Sequence, residues 1–311
     1  MVEWLVVGVG DITRKRVLPA ILSEPRSKLA GIVTRDPAKA APYGVPGWTD
    51  LGSALAASDA TAVYVASPVF LHARQTIEAL RAGRHVLCEK PMAMTYDEAA
   101  GMEQAAEQAG RTLGIAYYRR LYPKIDRARE LIAAGAIGRP VFAEATAHDN
   151  YNPLGTPRAW LADPTQSAGG PLRDTGSHRI DLMNYLFGGP VRVSAHFSTL
   201  VHTIPVEDNA TVMIDYASGV RGVVDVRWHA LPVRDEFRIR GTNGEIDLTP
   251  LNGPELVYPG GAESRPPHEN LHYPCVEDFV SGILGNRPPR STGATALPAE
   301  WVMERAAEDA G

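Results

Sequence analysis

The stretch Val2-Glu3-Trp4-Leu5-Val6-Val7-Gly8-Val9-Gly10-Asp11-Ile12-Thr13 decides the fold class of this chain. An apolar run of strand length passes directly into a loop with two glycines, and a helix is expected from about Arg14. Gly8 permits a tight turn, and Gly10 lets the backbone approach a pyrophosphate. The free N–H groups at the start of the following helix favour phosphate binding. The stretch therefore predicts the first strand, loop and helix of a dinucleotide-binding βαβ unit.

Up to Ile115 the chain alternates short apolar runs with helical patterns. The further apolar runs are Leu29–Val33, Ala62–Ala66, His85–Cys88 and Thr112–Ile115. None of them alternates strictly between apolar and polar residues, which is typical of strands buried on both faces of a parallel sheet. Asp36, Asp50 and Thr95 stand where helix N-caps are expected. This rhythm predicts that residues 1–118 form a doubly wound, Rossmann-type α/β domain.

After Tyr118 the pattern changes to longer runs with partial alternation. The expected strands are Val141–His148, Val191–Leu200, Ala210–Tyr216, Val220–Trp228, Asp235–Arg240 and Glu245–Thr249. Turn residues at Tyr216–Gly219 and Gly241–Gly244 favour hairpins. The helices expected on one face of this sheet are Ser177–Leu186, Pro274–Leu284 and Pro298–Glu308. Residues 119–311 are therefore predicted to form an α+β domain with a large, mostly antiparallel open sheet.

The composition argues against several classes of protein. The 311 residues suit two domains, and 44% hydrophobic with 22% charged residues is ordinary for a globular protein. A net charge of −5 without basic clusters argues against a nucleic-acid partner, and the apolar runs are too short to cross a membrane. Cys88 and Cys275 form neither a disulfide framework nor a CxxC pair, and the histidines lack metal-ligand spacing. A cytoplasmic protein without a metal site is expected.

The end of the second strand, Thr34-Arg35-Asp36, indicates which dinucleotide is bound. An acidic residue here would bind both ribose hydroxyls of NAD. Asp36 is explained as a helix N-cap, which leaves a small hydroxyl and an arginine to face the ribose. A guanidinium can form two hydrogen bonds to a phosphate and can stack on adenine. We therefore predict a preference for NADP, with NAD as the alternative cofactor.

Three further segments carry a family resemblance. Cys88-Glu89-Lys90-Pro91 ends a strand at the carboxyl edge, where open α/β sheets bind ligands. Ser67-Pro68 and Leu71-His72 follow the preceding strand. The longest motif is Gly169-Gly170-Pro171-Leu172-Arg173-Asp174-Thr175-Gly176-Ser177-His178-Arg179-Ile180-Asp181. With the glycine loop, these segments resemble the glucose–fructose oxidoreductase/inositol dehydrogenase (Gfo/Idh/MocA) family over nearly the whole chain.

The resemblance implies that Lys90, Asp174 and His178 form the reacting site. The residues expected to contact the cofactor are Gly8, Gly10, Asp11, Ile12, Thr34, Arg35, Ser67, Pro68, His72, Glu89 and Lys90. The residues expected to contact the substrate are Lys90, Tyr118, His148, Arg158, Trp160, Asp174 and His178. The resemblance also implies a homodimer or homotetramer assembled through the open sheet.

The chemistry of these residue types fits the oxidation of a secondary alcohol. That reaction needs a base for the hydroxyl proton while hydride leaves for the nicotinamide. His178 is expected in the first turn of a helix capped by Ser177, where the positive helix end disfavours an imidazolium. Lys90 is expected to donate to the same substrate oxygen, and Asp174 to fix a neighbouring hydroxyl or orient the lysine. We expect His178 to carry the proton, with Lys90 as the alternative carrier.

Some of these residues also have a purely structural interpretation. Glu89 is more readily explained as a buried structural acid, and His72 as a residue that packs near the cofactor. Asp181 either orients the His178 ring or has a surface or capping role. The sequence leaves open whether the segment His148–Asn150 lines a polyol pocket or forms a turn.

The expected function is that of an NAD(P)-dependent oxidoreductase, with NADP favoured, that transfers hydride between the nicotinamide and a sugar, cyclitol or related polyol. Two alternatives stay open. A glycosidase of the same fold, with a tightly held NAD for transient oxidation, would show no net change in nicotinamide absorbance. A non-catalytic sensor would be favoured by loss of Lys90 or His178, and this chain has both.

Overall fold

The apolar run Val2–Val7 forms a strand inside a six-stranded parallel sheet in the computed structural model, which describes all 311 residues. The strands are β1 (Val2–Val7), β2 (Ser27–Val33), β3 (Gly47–Trp48), β4 (Ala62–Val65), β5 (His85–Cys88) and β6 (Leu113–Ile115). Their order is β3-β2-β1-β4-β5-β6. The strand order therefore reverses between β1 and β4, as in a Rossmann sheet. The predicted doubly wound fold is confirmed.

The burial of these strands explains why they lack alternation. Every residue of β1 except Glu3 is buried, and so are all four residues of β4. The sheet gains its stability from removing these apolar side chains from water on both faces. Strand β3 has no signal in the sequence, because a pair of residues, Gly47 and Trp48, is too short to show a pattern.

The helices between the strands are α1 (Leu18–Ser23), α2 (Leu51–Ala57), α3 (His72–Arg81) and α4 (Tyr96–Ala109). Two of these four helices, α2 and α4, begin at the expected caps. The carboxylate of Asp50 accepts from the backbone N–H of Ser53 at 2.7 Å, and the Thr95 hydroxyl accepts from that of Glu98 at 3.2 Å. These bonds satisfy N–H groups that the first helical turn leaves without partners.

The segment after Tyr118 contributes an eight-stranded sheet. Its strands are β7 (Pro140–Asn150), β8 (Pro190–Ser198), β9 (Asn209–Tyr216), β10 (Arg221–Arg227), β11 (His229–Gly241), β12 (Gly244–Asp247), β13 (Glu255–Tyr258) and β14 (Gly261–Ser264). The order is β14-β13-β12-β11-β7-β10-β9-β8, and all neighbours are antiparallel except β7 and β10. The predicted mostly antiparallel sheet is confirmed, with β13 and β14 as additional short strands.

One face of this sheet is covered by helices and the other is open. The helices of the segment are α5 (Pro123–Ala133), α6 (Pro164–Ser167) and α7 (Ser177–Phe187). Along β7, Ala143, Ala145 and Ala147 are buried, whereas their neighbours are only partly buried. A Cβ at Gly222 of β10 would come within 2.8 Å of the sulfur of Met183, so α7 lies directly on that strand. Alternate residues of each strand therefore face opposite environments.

The last two helices are α8 (Tyr273–Leu284) and α9 (Gly293–Ala310). The chain divides into one unit of Met1–Tyr118 with His268–Leu297 and a second of Arg119–Pro267 with Pro298–Gly311. The helix expected at Pro274–Leu284 therefore does not cover the second sheet. It belongs to the first unit, because Phe279 of α8 packs against Trp4 of β1 with ring centroids 5.6 Å apart.

None of the helices combines the length and the apolar character needed to cross a membrane.

Candidate functional site

The glycine loop after β1 is closely packed at Gly8 and open at Gly10. Gly8 has a φ of +91°, and a Cβ there would come within 2.6 Å of the carbonyl oxygen of Ala66. Gly10 differs, because a Cβ there would meet nothing within 4 Å. The helix that follows begins as a π-helical turn at Thr13. The loop therefore fits a pyrophosphate, which needs close approach to the backbone and the N–H groups of a helix start.

Two other expected cofactor contacts, Asp11 and Ile12, are exposed at the end of this loop. The carboxylate of Asp11 accepts from Lys15 at 2.8 Å and from Arg14 at 2.9 Å. The lysine, and then the arginine, hold the pKa of Asp11 below its usual value. Its charge is thereby compensated locally, which lowers its repulsion of a phosphate nearby.

The end of β2 presents an arginine next to an aspartate that caps the following segment. Thr34 is half-buried and Arg35 is exposed. Asp36 caps the 3₁₀ segment Pro37–Tyr43 by accepting from the N–H of Ala38 at 3.2 Å, as predicted. A cavity of about 270 Å³ lies between this segment and the glycine loop. Its lining residues are Val9, Arg14, Lys39, Pro42 and Tyr43.

The loop after β4 contains Ser67, Pro68 and His72. The buried His72 ring lies with Nε2 at 2.9 Å from the carbonyl oxygen of Ser67 and Nδ1 at 3.0 Å from that of Pro91. Burial lowers the pKa of His72, and its bonds to the carbonyls act in the opposite direction. The Ser67 hydroxyl donates to Gln75 at 2.6 Å. His72 therefore ties the loop after β4 to the loop that carries Lys90.

Lys90 follows β5 at the carboxyl edge of the parallel sheet and is half-buried. Its neighbour Glu89, an expected cofactor contact, is buried instead of facing a cavity. The Glu89 carboxylate accepts from the Tyr64 hydroxyl at 2.9 Å, from His272 Nε2 at 3.0 Å and from the backbone N–H of Lys90 at 3.3 Å. These bonds favour the structural interpretation of Glu89. Tyr118 belongs to the same unit, and its ring lies 4.7 Å from that of His272.

The long motif forms a helix that begins earlier than expected. Leu172–Gly176 is a π-helical turn that runs without a break into α7. Ser177 is itself helical, and its hydroxyl donates back to the carbonyl oxygen of Asp174 at 3.4 Å. The prediction that Ser177 caps a helix at His178 is therefore wrong.

The cap of this helix comes from a distant residue. Glu207 accepts from the N–H of Gly170 at 2.9 Å and from that of Leu172 at 3.2 Å. His178 consequently lies more than a turn inside the helix, away from its positive end. The side chain of His178 is itself only 4% exposed.

Arg158 and Asp174 are brought together by the structure. Nη2 of Arg158 lies 2.9 and 3.0 Å from the two carboxylate oxygens of Asp174. The guanidinium also lies over the ring of Tyr151, 5.7 Å from its centroid. Trp160 is half-buried and packs against an apolar cluster that contains Trp228. Asp174 is therefore held by an arginine from the loop before the motif.

Asp149, at the end of β7, lies in the field of the same charged groups. Burial raises its pKa, and the attraction of Arg179 is opposed by the repulsion of Asp174. Asp235 adds to that repulsion, while its own charge is paired with Arg179 at 2.7 Å. No hydrogen bond from the chain neutralises Asp149. It is the one carboxylate of this group without an ion pair.

His148 lies on the other face of the sheet. It pairs with Arg227 of β10 and Arg234 of β11, and its Nε2 lies 2.6 Å from Asp225. Neighbouring residues on a strand point to opposite faces. The structure therefore does not bring His148 together with Asp174 and His178, and it places Asp149 on their side instead.

Asp181 has a structural partner. It is 1% exposed and forms a two-bond ion pair with the buried Arg120, in which Nε lies 2.8 Å from Oδ2. The guanidinium of Arg120 also lies 5.2 Å from the ring centroid of Tyr185. Asp181 thus holds α7 to the segment before α5, and this pairing accounts for a carboxylate in the apolar interior.

Two family descriptions match this chain. Residues 2–117 match the oxidoreductase family with an NAD-binding Rossmann fold, and residues 125–247 match the GFO/IDH/MocA C-terminal domain. The chain belongs to the GFO/IDH/MocA oxidoreductase family. Its parallel sheet with the glycine loop is accordingly an NAD-binding Rossmann domain, and the resemblance drawn from the sequence motifs is confirmed.

Curated relatives and solved structures of this family match most of the chain. It is 30% identical to the 1,5-anhydro-D-fructose reductase of Ensifer adhaerens, over 94% of this chain and 91% of the relative. It is 32% identical to D-xylose 1-dehydrogenase (NADP(+)) 2 of Haloferax volcanii, over 79% and 75%. The crystal structure of the aldose–aldose oxidoreductase from Caulobacter crescentus, complexed with glycerol, superposes with a TM-score of 0.89 at 26% identity, over 99% of this chain and 97% of that one.

Proposed function

We propose that this protein is an NAD(P)-dependent oxidoreductase that transfers hydride between the nicotinamide and a CH–OH carbon of a sugar, cyclitol or related polyol. The observation that carries the proposal is the match over nine tenths of the chain to a sugar reductase, together with Lys90, Asp174 and His178 in the motifs of the family. A bound nicotinamide supplies or accepts the hydride. The residues of the chain must then bind the polyol and move its hydroxyl proton.

The three motif residues have separate roles in this proposal. His178 takes the hydroxyl proton during oxidation and returns it during reduction, because an imidazole can both accept and donate a proton. Lys90 donates to the same oxygen and stabilises its alkoxide character. Asp174, held by Arg158, accepts from a neighbouring hydroxyl.

Asp149 extends the proposed polyol site. A half-buried carboxylate without an ion pair is costly, and a hydroxyl donor from a substrate would offset that cost. The other carboxylates of the group, Asp174 and Asp235, are already paired with arginines. Asp149 therefore favours a neutral hydroxyl over the anionic group of a sugar acid or sugar phosphate at this position. We accordingly expect Asp149→Asn to lower the ratio of kcat/KM for neutral sugars to kcat/KM for acidic sugars.

NADP is the preferred cofactor in this proposal. The carboxylate of Asp36 is committed to its helix cap, so it does not compete for the ribose hydroxyls. Arg35 is exposed beside it, and Arg14 and Lys39 line the adjoining cavity. A doubly charged 2′-phosphate is stabilised by such a cluster of cations.

The open face of the second sheet is the proposed subunit interface, and it would give a homodimer or homotetramer. Light scattering on the purified protein, combined with charge-reversing substitutions on that face, measures the assembly.

A substrate panel tests the proposed function. Neutral aldoses, polyols and keto-sugars are offered with NAD and NADP in parallel, and the nicotinamide absorbance is followed. We expect turnover of at least one neutral compound, with NADP used better than NAD. Tightly bound NAD with no absorbance change on any compound would favour the glycosidase alternative instead.

A further inference from the structure

A buried network lies directly behind Lys90. Glu89 is only 6% exposed, and one of its oxygens accepts from both the Tyr64 hydroxyl and Nε2 of His272. Tyr64 is fully buried and His272 is 2% exposed. The other oxygen of Glu89 accepts from the backbone N–H of Lys90. One carboxylate thus joins a tyrosine, a histidine and the backbone of the proposed catalytic lysine.

This carboxylate is ionised despite its burial. Burial by itself raises the pKa of Glu89, but the attraction and hydrogen bond of His272, followed by Lys90 and Tyr64, bring it below the ordinary value. His272 therefore makes the largest contribution that keeps the charge of Glu89 inside the protein. Because a coulombic interaction is reciprocal, the Glu89 charge also attracts the side chain of Lys90.

The histidine is itself held in place. We call the segment His268–His272 the strap. Within it, Asn270 donates to the carbonyl oxygen of Arg16 at 2.9 Å, and Arg16 donates to that of Glu269 at 2.9 Å. The Tyr118 ring covers the His272 ring at 4.7 Å. The strap thus fixes the imidazole between the helix after the glycine loop and the residue that precedes Lys90.

We propose that His272 is a positioning residue that acts on Lys90 through Glu89. It lies 183 residues from Glu89 in the sequence and outside every motif of the family resemblance. Its donated hydrogen bond keeps Glu89 charged and oriented, and Glu89 in turn fixes the backbone of Lys90 and supplies a counter-charge to its ammonium. The consequence for catalysis depends on the proposed function, whereas the effect on Lys90 itself does not.

The reactivity of Lys90 tests this proposal without any substrate. Reductive methylation at fixed pH, quantified by peptide mass spectrometry, measures how much of the amine is uncharged and accessible. We expect His272→Leu to raise the labelling rate of Lys90 at least about threefold, because Glu89 then no longer attracts the ammonium or holds the Lys90 backbone in place. The isosteric Glu89→Gln removes the charge of Glu89 directly, and its Lys90 labelling rate is expected to match that of His272→Leu. Glu89→Gln therefore provides the test if His272→Leu does not fold.

Two variants separate positioning from a general loosening of the fold. His272→Gln keeps an N–H donor but not the attraction of the imidazole, and we expect it to label more slowly than His272→Leu. His268→Gln alters the exposed end of the strap, where His268 stacks on Tyr273 with ring centroids 4.6 Å apart, and leaves Glu89 untouched. It is expected to label like the wild type.

The outcomes distinguish this proposal from the proposed function. Wild-type labelling in folded His272→Leu and Glu89→Gln would overturn the positioning role, whatever the enzyme turns over. The positioning role is also overturned if His272→Gln labels as fast as His272→Leu, or if His268→Gln does. Faster labelling of Lys90 in these variants, in a protein that acts on no sugar, would support the positioning role and contradict the proposed function. On an active substrate, we expect His272→Leu to lower kcat by about tenfold and to leave the Kd for NADPH within about twofold of the wild-type value. The pH profile of kcat should also fall at acid pH in this variant, unlike that of the wild type.

Discussion

The two glycines of the first loop allow a paired substitution that separates folding from cofactor binding. In Gly8→Ala the new methyl group meets the carbonyl oxygen of Ala66 at 2.6 Å and Ser67 N at 2.8 Å, both backbone atoms of the loop after β4. The residue must also keep a φ of +91°. A left-handed non-glycine residue costs about 1–2 kcal/mol, and displacing packed backbone adds about as much again. The total is about 2–4 kcal/mol.

Gly10→Ala is expected to affect cofactor binding rather than stability. No atom lies within 4 Å of the added methyl group, so the substitution is not expected to destabilise the fold. Any change in the free energy of unfolding is expected to be a rise of up to about 1 kcal/mol, because alanine lowers the conformational entropy of the unfolded chain. The same methyl group occupies the space proposed for the pyrophosphate. We expect the Kd for NADPH to rise at least about 30-fold, which corresponds to roughly 2 kcal/mol.

Two measurements on each variant check this pair. Thermal unfolding followed by circular dichroism should show Tm lower by about 3–6 °C in Gly8→Ala and unchanged within about 2 °C in Gly10→Ala. Titration of NADPH fluorescence gives the affinities. The separate roles of the two glycines are refuted if Gly10→Ala binds NADPH as the wild type does, or if it loses as much stability as Gly8→Ala.

Three other variants test neighbouring parts of the site. Replacing Arg35 and Lys39 together by alanine should raise the Kd for NADPH at least about tenfold and leave that for NADH within about threefold, as measured by parallel titrations. Lys90→Met should lower kcat/KM by about 10²–10⁴-fold with cofactor affinity nearly unchanged, and near-full turnover in steady-state assays would contradict the role of Lys90. Glu89 has a folded-state pKa below the ordinary value of 4.5, so its ionisation stabilises the protein above about pH 4.5, and this contribution is lost as the pH falls through the lower folded value. Urea unfolding should therefore show the largest difference between wild type and Glu89→Gln near neutral pH and a shrinking difference in acid, whereas a constant difference would argue against an ionised Glu89.

The sequence predicted the parts of the fold that depend on local patterns. Strand β1 has the predicted bounds, because a run buried on both faces is unbroken in hydrophobicity. Asp50 and Thr95 cap the predicted helices, because a cap involves residues within a few positions of each other. The family resemblance rested on such short motifs as well, and it was sufficient to identify the family.

The features that the sequence did not reveal depend on distant partners or on a single residue of register. Ser177 resembles an N-cap, but the cap of that helix is Glu207, which lies 37 residues from Gly170. His148 and Asp149 are equally polar neighbours, and only the register of β7 against β10 decides which of them shares a face with α7. His272 gives no local signal at all, because its partner Glu89 comes from a distant part of the chain.

The most direct test of the central claim follows the hydride itself. NADPH that carries deuterium at the transferred position is incubated with the protein and a keto-sugar that the substrate panel identifies, and the product is examined by mass spectrometry. We predict deuterium on the newly formed carbinol carbon of the product, with a stoichiometric loss from the cofactor, and neither change in Lys90→Met. A product without deuterium, or a cofactor that keeps its label, would contradict net hydride transfer by this protein.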